Sequence, residues 1–169
     1  VPAKKYSAER YRIYSSMSLR DDLENGESYY MVEIRSIKRI LEAAKEPGTK
    51  VLCLVDEVLR GTNTVERIAA ASEIMRSFTG ENILCFAATH DIELTQLLAD
   101  VYDNYHFEEQ IENNDIIFPY KLLKGPANTR NAIKLLRLMG YPENLIERAE
   151  WMAGCFLEEG EWRNKESKA

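Results

Sequence analysis

No stretch of the chain approaches the roughly 18 consecutive apolar residues that a membrane-spanning helix needs. Residues 1–10 are polar, without the apolar core of a secretory signal. Cysteine is scarce. Cys53, Cys85 and Cys155 lack the paired spacing of a zinc site, and two of them sit inside apolar runs, so they are expected as reduced, buried thiols of a cytosolic protein. Positive charge is in deficit as well: 22 Lys and Arg stand against 28 Asp and Glu, a net charge of −6. That balance is opposite to the basic face of a stand-alone nucleic-acid binder. There is no internal repeat, and no low-complexity tract beyond a charged tail at 158–169. The phosphate-cradling string G-x-x-x-x-G-K-[ST] is missing too. Its nearest approach, Pro47-Gly48-Thr49-Lys50, lacks the first glycine and leads into a strand rather than a helix. The chain starts without Met and its first residues read as mid-sequence, which sets the expectation of a segment from a longer protein.

What is present is the composition of a folded globular chain. Of 169 residues, 45% are apolar and 30% charged, enough for one domain of ordinary size or two very small ones. Residues 11–17 read as a strand. Across 30–44, Met31, Ile34, Ile37, Leu41 and Ala44 recur at spacings of three and four, an amphipathic helix stopped by Pro47-Gly48. Residues 51–55 and 83–88 are short continuous apolar runs, the pattern of strands buried on both faces of a parallel sheet. Between them 64–78 is helical, with Ile68, Ala71, Met75 and Phe78 on one face. A short helix is expected at 91–99, then strands at 101–108 and 116–123 joined by an Asn113-Asn114-Asp115 turn. Asn128 or Thr129 caps a helix with Ala132, Leu135, Leu136 and Met139 inward. After the break at Gly140-Tyr141-Pro142 a second helix carries Leu145, Ala149, Met152 and Phe156. The alternation predicts an α/β fold: a parallel-sheet layer with crossover helices, then a β-hairpin and a C-terminal helical pair.

The first apolar run ends abruptly in Asp56-Glu57. In open α/β sheets ligands collect at the carboxyl ends of the strands. Asp56 there suits Mg²⁺, directly or through water, and Glu57 can polarise an attacking water. The same pair also serves as a simple strand exit into solvent. The second run ends in Thr89-His90-Asp91, which puts His90 at the carboxyl end of a neighbouring strand, next to a terminal phosphate or as a plain helix cap. Arg60-Gly61-Thr62-Asn63-Thr64 follows the acidic pair; Gly61 permits an unusual backbone angle and Thr64 can cap the next helix. Gly26-Glu27-Ser28 precedes the first amphipathic helix, where free N–H groups and the Ser28 hydroxyl either hold a phosphate or cap the helix.

Taken in order, Asn25-Gly26-Glu27-Ser28-Tyr29-Tyr30-Met31-Val32-Glu33, Val55-Asp56-Glu57, Arg60-Gly61-Thr62-Asn63-Thr64, Ala88-Thr89-His90, Glu93-Leu94, 125–133 and 140–149 resemble the ATPase domain of the MutS family of DNA mismatch-repair proteins. The resemblance covers about residues 1–152. It implies the C-terminal half of a P-loop NTPase domain of the ABC type that works as a dimer with ATP and Mg²⁺. Asp56 would be the Mg²⁺-associated acid of the Walker B strand, Glu57 the residue that polarises the hydrolytic water, and His90 the switch histidine near the γ-phosphate. Gly26 and Ser28 would belong to the signature loop that reaches the partner subunit's nucleotide, and Asn63, with Thr62 and Thr64, to the loop crossing the dimer interface. The Walker A loop would lie upstream of Val1. Leu59 stands where the family commonly has glycine, and Tyr29 where a threonine is usual, which suggests a MutS-like side branch.

These expectations divide the chain into an ATPase half-domain at 1–125, a helix-turn-helix-like pair at 126–157 and a charged tail at 158–169. The second helix of the pair carries Glu143, Glu147 and Glu150 against Arg148, the wrong charge for a major groove. Its apolar face suits a partner subunit or its own core. The function implied is ATP binding and hydrolysis that drives a DNA-clamp change in a dimer, in the cytoplasm and on the nucleoid through DNA held by other domains. The alternative is a catalytically silent dimerisation module. A metal-dependent hydrolase using Asp56, Glu57 and His90 directly needs more ligands than lie nearby. The isolated chain is expected to be inactive and to expose an apolar sheet edge.

Overall fold

The computed structural model describes residues 4–17, 29–112, 115–127 and 131–164. They form two units, one running to Asn104 and the other from Tyr105. In the first, β1 (Arg12–Ser16), β2 (Val51–Asp56) and β3 (Ile83–Ala88) make a parallel sheet in the order β1-β2-β3. Ile13, Leu52 and Leu84 are in register, as are Ser15, Leu54 and Phe86. Helix α1 (Tyr29–Ala44) joins β1 to β2, α2 (Thr64–Ser77) joins β2 to β3, and α3 (Ile92–Leu97) follows.

Strands laid side by side in chain order, with right-handed crossovers, carry both connecting helices to one face. The core lies there: Ile37, Ile40 and Ala43 of α1, Val51, Cys53 and Val55 of β2, Ala71, Met75 and Phe78 around α2, and Leu94 and Leu98 around α3. The other face is open. Ile13, Leu84 and Phe86 are exposed, Phe86 at 61%, while Leu52 and Leu54 are half-buried. The expectation of strands buried on both faces therefore fails, most of all for β3. Side chains alternate across a strand, and among the described residues only one layer of helices covers this sheet. The exposed apolar surface is a sheet face rather than the expected edge alone. On α1 the buried stripe runs through Glu33, Ser36, Ile37, Ile40 and Ala43, rotated from the expected one, and Met31 is exposed.

Residues 101–104 form a turn, not the start of a strand. The Val101 and Tyr102 N–H groups donate to Leu98 O, and the Tyr102 hydroxyl donates to Met75 O at 2.8 Å, which draws this stretch onto α2. In the second unit the expected long hairpin is two short antiparallel ladders. β4 (Tyr105–His106) pairs with β7 (Leu123–Lys124), and β5 (Gln110–Glu112) with β6 (Asp115–Ile117). Pro119 has no N–H to offer a ladder and Tyr120 is left-handed, φ 52°, which breaks the second strand. Asn113 and Asn114 lie outside the described residues. The His106 ring bonds Gly125 O at 2.9 Å and Glu108 Oε1 at 3.0 Å, and these partners raise its pKa, the Gly125 carbonyl first.

Helices α4 (Ala132–Leu138) and α5 (Glu143–Glu159) follow. The expected caps Asn128 and Thr129 lie outside the described residues. Asn131 occupies the cap position of α4, and its side chain donates to Glu109 Oε1 instead. Ile146, not Leu145, is the buried anchor of α5, and Met139 is exposed. Pro142 O accepts from the Leu145 and Ile146 N–H groups and so sets the phase of α5, which turns Ile146 inward and leaves Leu145 exposed. Arg137 ties the helices through Glu143 at 3.0 Å and Glu150 at 3.1 Å. Gly160, at φ 75°, ends α5. Among the described residues no helix is long and apolar enough to cross a membrane.

Candidate functional site

The carboxyl ends of β2 and β3 are neighbours because the strands pair in register to their last residues, Asp56 with Ala88. Asp56 ends β2 exposed, in alternation with Leu52 and Leu54 on the open side of the sheet. The Glu57 N–H donates to Ala88 O at 2.9 Å, and the backbone then turns left-handed at Glu57 (φ 51°) and again at Leu59 (φ 58°). The unusual backbone angle expected at Gly61 falls instead on the side-chain-bearing Glu57 and Leu59. Val58 and Leu59 are pulled into the core, and Glu57 is left facing the β3 end.

Glu57 has a nitrogen neighbour at each oxygen. Arg60 Nη1 lies 2.8 Å from Oε2 and His90 Nε2 3.4 Å from Oε1. Glu57 is one-fifth exposed, while the His90 side chain is 94% exposed and so open to a ligand. Behind His90, the Arg67 guanidinium grips Asp91 with two bonds, Nε to Oδ2 at 3.0 Å and Nη2 to Oδ1 at 2.7 Å. This contact holds the Arg67 pKa above its ordinary value. The Thr89 hydroxyl accepts from the Asp91 N–H at 3.0 Å. Together Glu57, Arg60, Arg67, Thr89, His90 and Asp91 line a cleft of about 270 Å³. A larger cleft, about 390 Å³, lies at the opposite end of the strands between 10–12 and 48–50; of its three cations, Arg12 and Lys50 are engaged by Glu46 and Glu9, and Arg10 is the third.

Asn63, rather than Thr64, caps α2: its Oδ1 accepts from the Val65 N–H at 3.0 Å. Gly26 and Ser28 lie outside the described residues. Asp56, Glu57 and His90 thus come together at one edge, and Asn63 ends the turn that follows them. Reasoning from the sequence missed two features. The Arg67–Asp91 fork joins residues far apart in the chain and leaves no local signal. Glu33 did leave one, a carboxylate on the stripe of Ile37 and Ile40. It is 2% exposed; Oε1 accepts from the Leu59 N–H at 2.5 Å, and Oε2 has no hydrogen-bond partner among the described residues. Burial pushes its pKa up, against the Leu59 N–H, which favours the charged form.

No group of three His, Cys, Asp or Glu side chains gathers among the described residues. That arrangement does not suit an all-protein metal cage. A single exposed carboxylate at a strand end does suit Mg²⁺, which keeps several waters and takes its remaining ligands from phosphates.

The family profile of MutS domain V matches residues 1–156. The DNA mismatch repair protein MutS of Thermosipho melanesiensis is 33% identical over 159 residues, 91% of this chain and 19% of the relative. MutS of Thermus thermophilus is 31% identical over 150 residues, 88% of this chain and 18% of the relative. MutS 2 of Haloarcula marismortui is 32% identical over 141 residues, 82% and 15%. The chain spans less than a fifth of the length of these relatives. A profile match over nearly the whole chain, on a parallel sheet with two strand ends carrying Asp-Glu and Thr-His, places it: the chain belongs to the MutS family, within domain V.

Proposed function

We propose that this chain is part of the ATP-hydrolysing domain of a MutS-like mismatch-repair protein, in which nucleotide drives a change in a DNA clamp. The observation that carries the reading is the meeting of Glu57 and His90 at 3.4 Å, beside Asp56, at the carboxyl ends of two adjacent parallel strands. The 33% identical relative bears the name of a mismatch-repair protein, which supports the cellular role.

In this reading the sheet is one layer of an ABC-type P-loop NTPase. The α- and β-phosphates are held by a Walker A loop from elsewhere in the full-length protein, since this sequence lacks one. The open face bearing Leu84 and Phe86 is where the remainder of the domain packs. Asp56 would hold Mg²⁺, directly or through a water; the ion neutralises phosphate charge when bound. Glu57 accepts a hydrogen bond from the attacking water and aligns it. Arg60 at Oε2 and His90 at Oε1 flank the carboxylate in the cleft. His90, almost wholly exposed, meets the terminal phosphate. Gly26, Ser28 and Asn63 face the nucleotide of a second subunit; Asn63 keeps its Nδ2 donor for this, because Oδ1 caps α2. We retain 1–125 as the ATPase portion, 126–157 as the helix pair that meets the other subunit, and 158–169 as a solvated tail. DNA is contacted by other domains of the full-length protein, in the cytoplasm and on the nucleoid.

The test is Glu57→Gln in the full-length protein. ATP binding is expected to survive while turnover falls at least 100-fold, the scale of a lost positioned base; unchanged turnover removes Glu57 from this role. A second reading, a silent dimerisation module, is favoured by the exposed apolar side chains of the helical pair, Met139, Leu145 and Leu157. Titration of Mg-ATP into this chain, and into one extended upstream, separates the two. Binding by the longer chain alone supports the split site. No binding by either, with both folded, supports the module.

A further inference from the structure

The geometry points to Glu33 as a positioning residue for Glu57: by accepting the Leu59 N–H it holds the turn that aims the Glu57 carboxylate. This inference rests on the role proposed for Glu57. Two non-glycine residues in this turn, Glu57 and Leu59, stand in the left-handed region, which side-chain-bearing residues avoid because Cβ crowds the following carbonyl. A turn of that kind persists only if its surroundings hold it. At its start the Glu57 N–H is tied to Ala88 O of β3, and two residues on the Leu59 N–H is tied to Glu33 Oε1 at 2.5 Å. Among the described residues no backbone carbonyl takes that second role; the acceptor comes from α1, across 26 residues of chain.

The cost of the arrangement argues for a purpose. Glu33 is 2% exposed, its Oε2 is unpartnered among the described residues, and burial works against its charge. An apolar residue on the same stripe as Ile37 and Ile40 would pack without that penalty. What an apolar residue lacks is an acceptor for the Leu59 N–H. If that bond is lost the turn can relax, and Glu57 moves relative to Arg60 and His90. Glu33 itself does not line the cleft, so it would act through Glu57 alone.

The test uses the full-length protein, with turnover and KM for Mg-ATP measured on folded samples. Glu33→Met keeps the length and removes the acceptor. It is expected to lower kcat tenfold or more with KM within twofold, since neither Glu57 nor Leu59 is among the residues proposed to hold the nucleotide. Glu33→Gln keeps an acceptor oxygen and is expected to stay within twofold of the unmodified protein. Glycine adopts the Leu59 angle without strain, so in a Leu59→Gly background Glu33→Met is expected to cost less than threefold in kcat. Unchanged kcat in Glu33→Met, a tenfold loss in Glu33→Gln, or an undiminished penalty in the Leu59→Gly background each overturns the proposal. If Glu33→Met does not fold, Glu33→Gln decides by the same limits. Glu57→Gln is run beside them. If it abolishes turnover while Glu33→Met does not lower it, only the positioning role falls; if it leaves turnover intact, the Glu57 reading falls and this role with it.

Discussion

Asp91→Asn keeps the shape of the turn after β3 and removes the anion that Arg67 grips. The two side chains are each 19% exposed and share two bonds, at 2.7 and 3.0 Å. Arg67 is covered by its immediate neighbours yet lies close to the surface, so an effective dielectric near 20 applies. Two unit charges about 4 Å apart then attract by about 4 kcal/mol. Desolvation of both groups takes back more than half of that. The expected coupling is about 1.5 kcal/mol, above the 0.2–1 kcal/mol of exposed pairs. A double-mutant cycle of Asp91→Asn and Arg67→Met measures it. Trp151 and Trp162 both lie in the second unit, so fluorescence reports the wrong one. Native-state hydrogen exchange at the β2 and β3 amides reports the first. Raised salt should weaken this coupling less than that of the more exposed Arg76–Asp100 pair. A coupling below about 0.3 kcal/mol, within the error of additivity, would refute the reasoning and leave the turn to be held by the Thr89–Asp91 bond and by burial of Leu94 and Leu98.

Ile40→Ala empties a fully buried site between α1 and the sheet; a loss of about 3 kcal/mol is expected in the first unit, measured by the same exchange experiment. Glu33→Gln should stabilise the first unit at pH 7. The folded pKa of Glu33 is raised, so the folded state binds the proton more tightly than the unfolded one, and this group's contribution falls as pH rises from about 4. The advantage of Gln should shrink as pH drops through the raised folded pKa and be gone at about pH 4, and a difference independent of pH would count against it. His106 has a raised folded pKa, so its contribution is complete below about pH 6.5 and is lost as pH climbs through the folded value. Urea unfolding of the second unit, read by tryptophan fluorescence, should show that loss, and His106→Gln should remove it. Cys53 is fully buried, and its bond to Cys85 together with burial raises its pKa. Maleimide should label Cys155, which is partly exposed, well before Cys53.

Much of the first unit is legible in the residues. Continuous apolar runs mark β2 and β3, glycine and proline punctuate them, and three- and four-residue spacing marks α1 and α2. These are local signals, carried by neighbours in the chain. The parallel pairing follows from the alternation of strands and helices. The second unit was read less well. A two-residue strand such as β4 or β7 has too few positions for a period to declare itself, and Pro119 with left-handed Tyr120 divides what looks like one strand. The phase of α5 depended on where Pro142 starts the helix, so Leu145 and Ile146 exchanged roles.

At the site, the residue types and their order along the chain were determined by the sequence alone: an acidic pair after one apolar run, Thr-His after another. Tertiary structure decided which partners each one has. Strand register, which depends on hydrogen bonds between segments about 30 residues apart, brought Glu57 to His90. The layering of both helices on one face decided that Leu84 and Phe86 stay exposed. The bonds from Arg67 to Asp91 and from Leu59 to Glu33 cross 24 and 26 residues. Local sequence carries no record of such contacts, because they exist only once the chain has closed on itself and burial has raised the cost of leaving those charges and N–H groups unpaired.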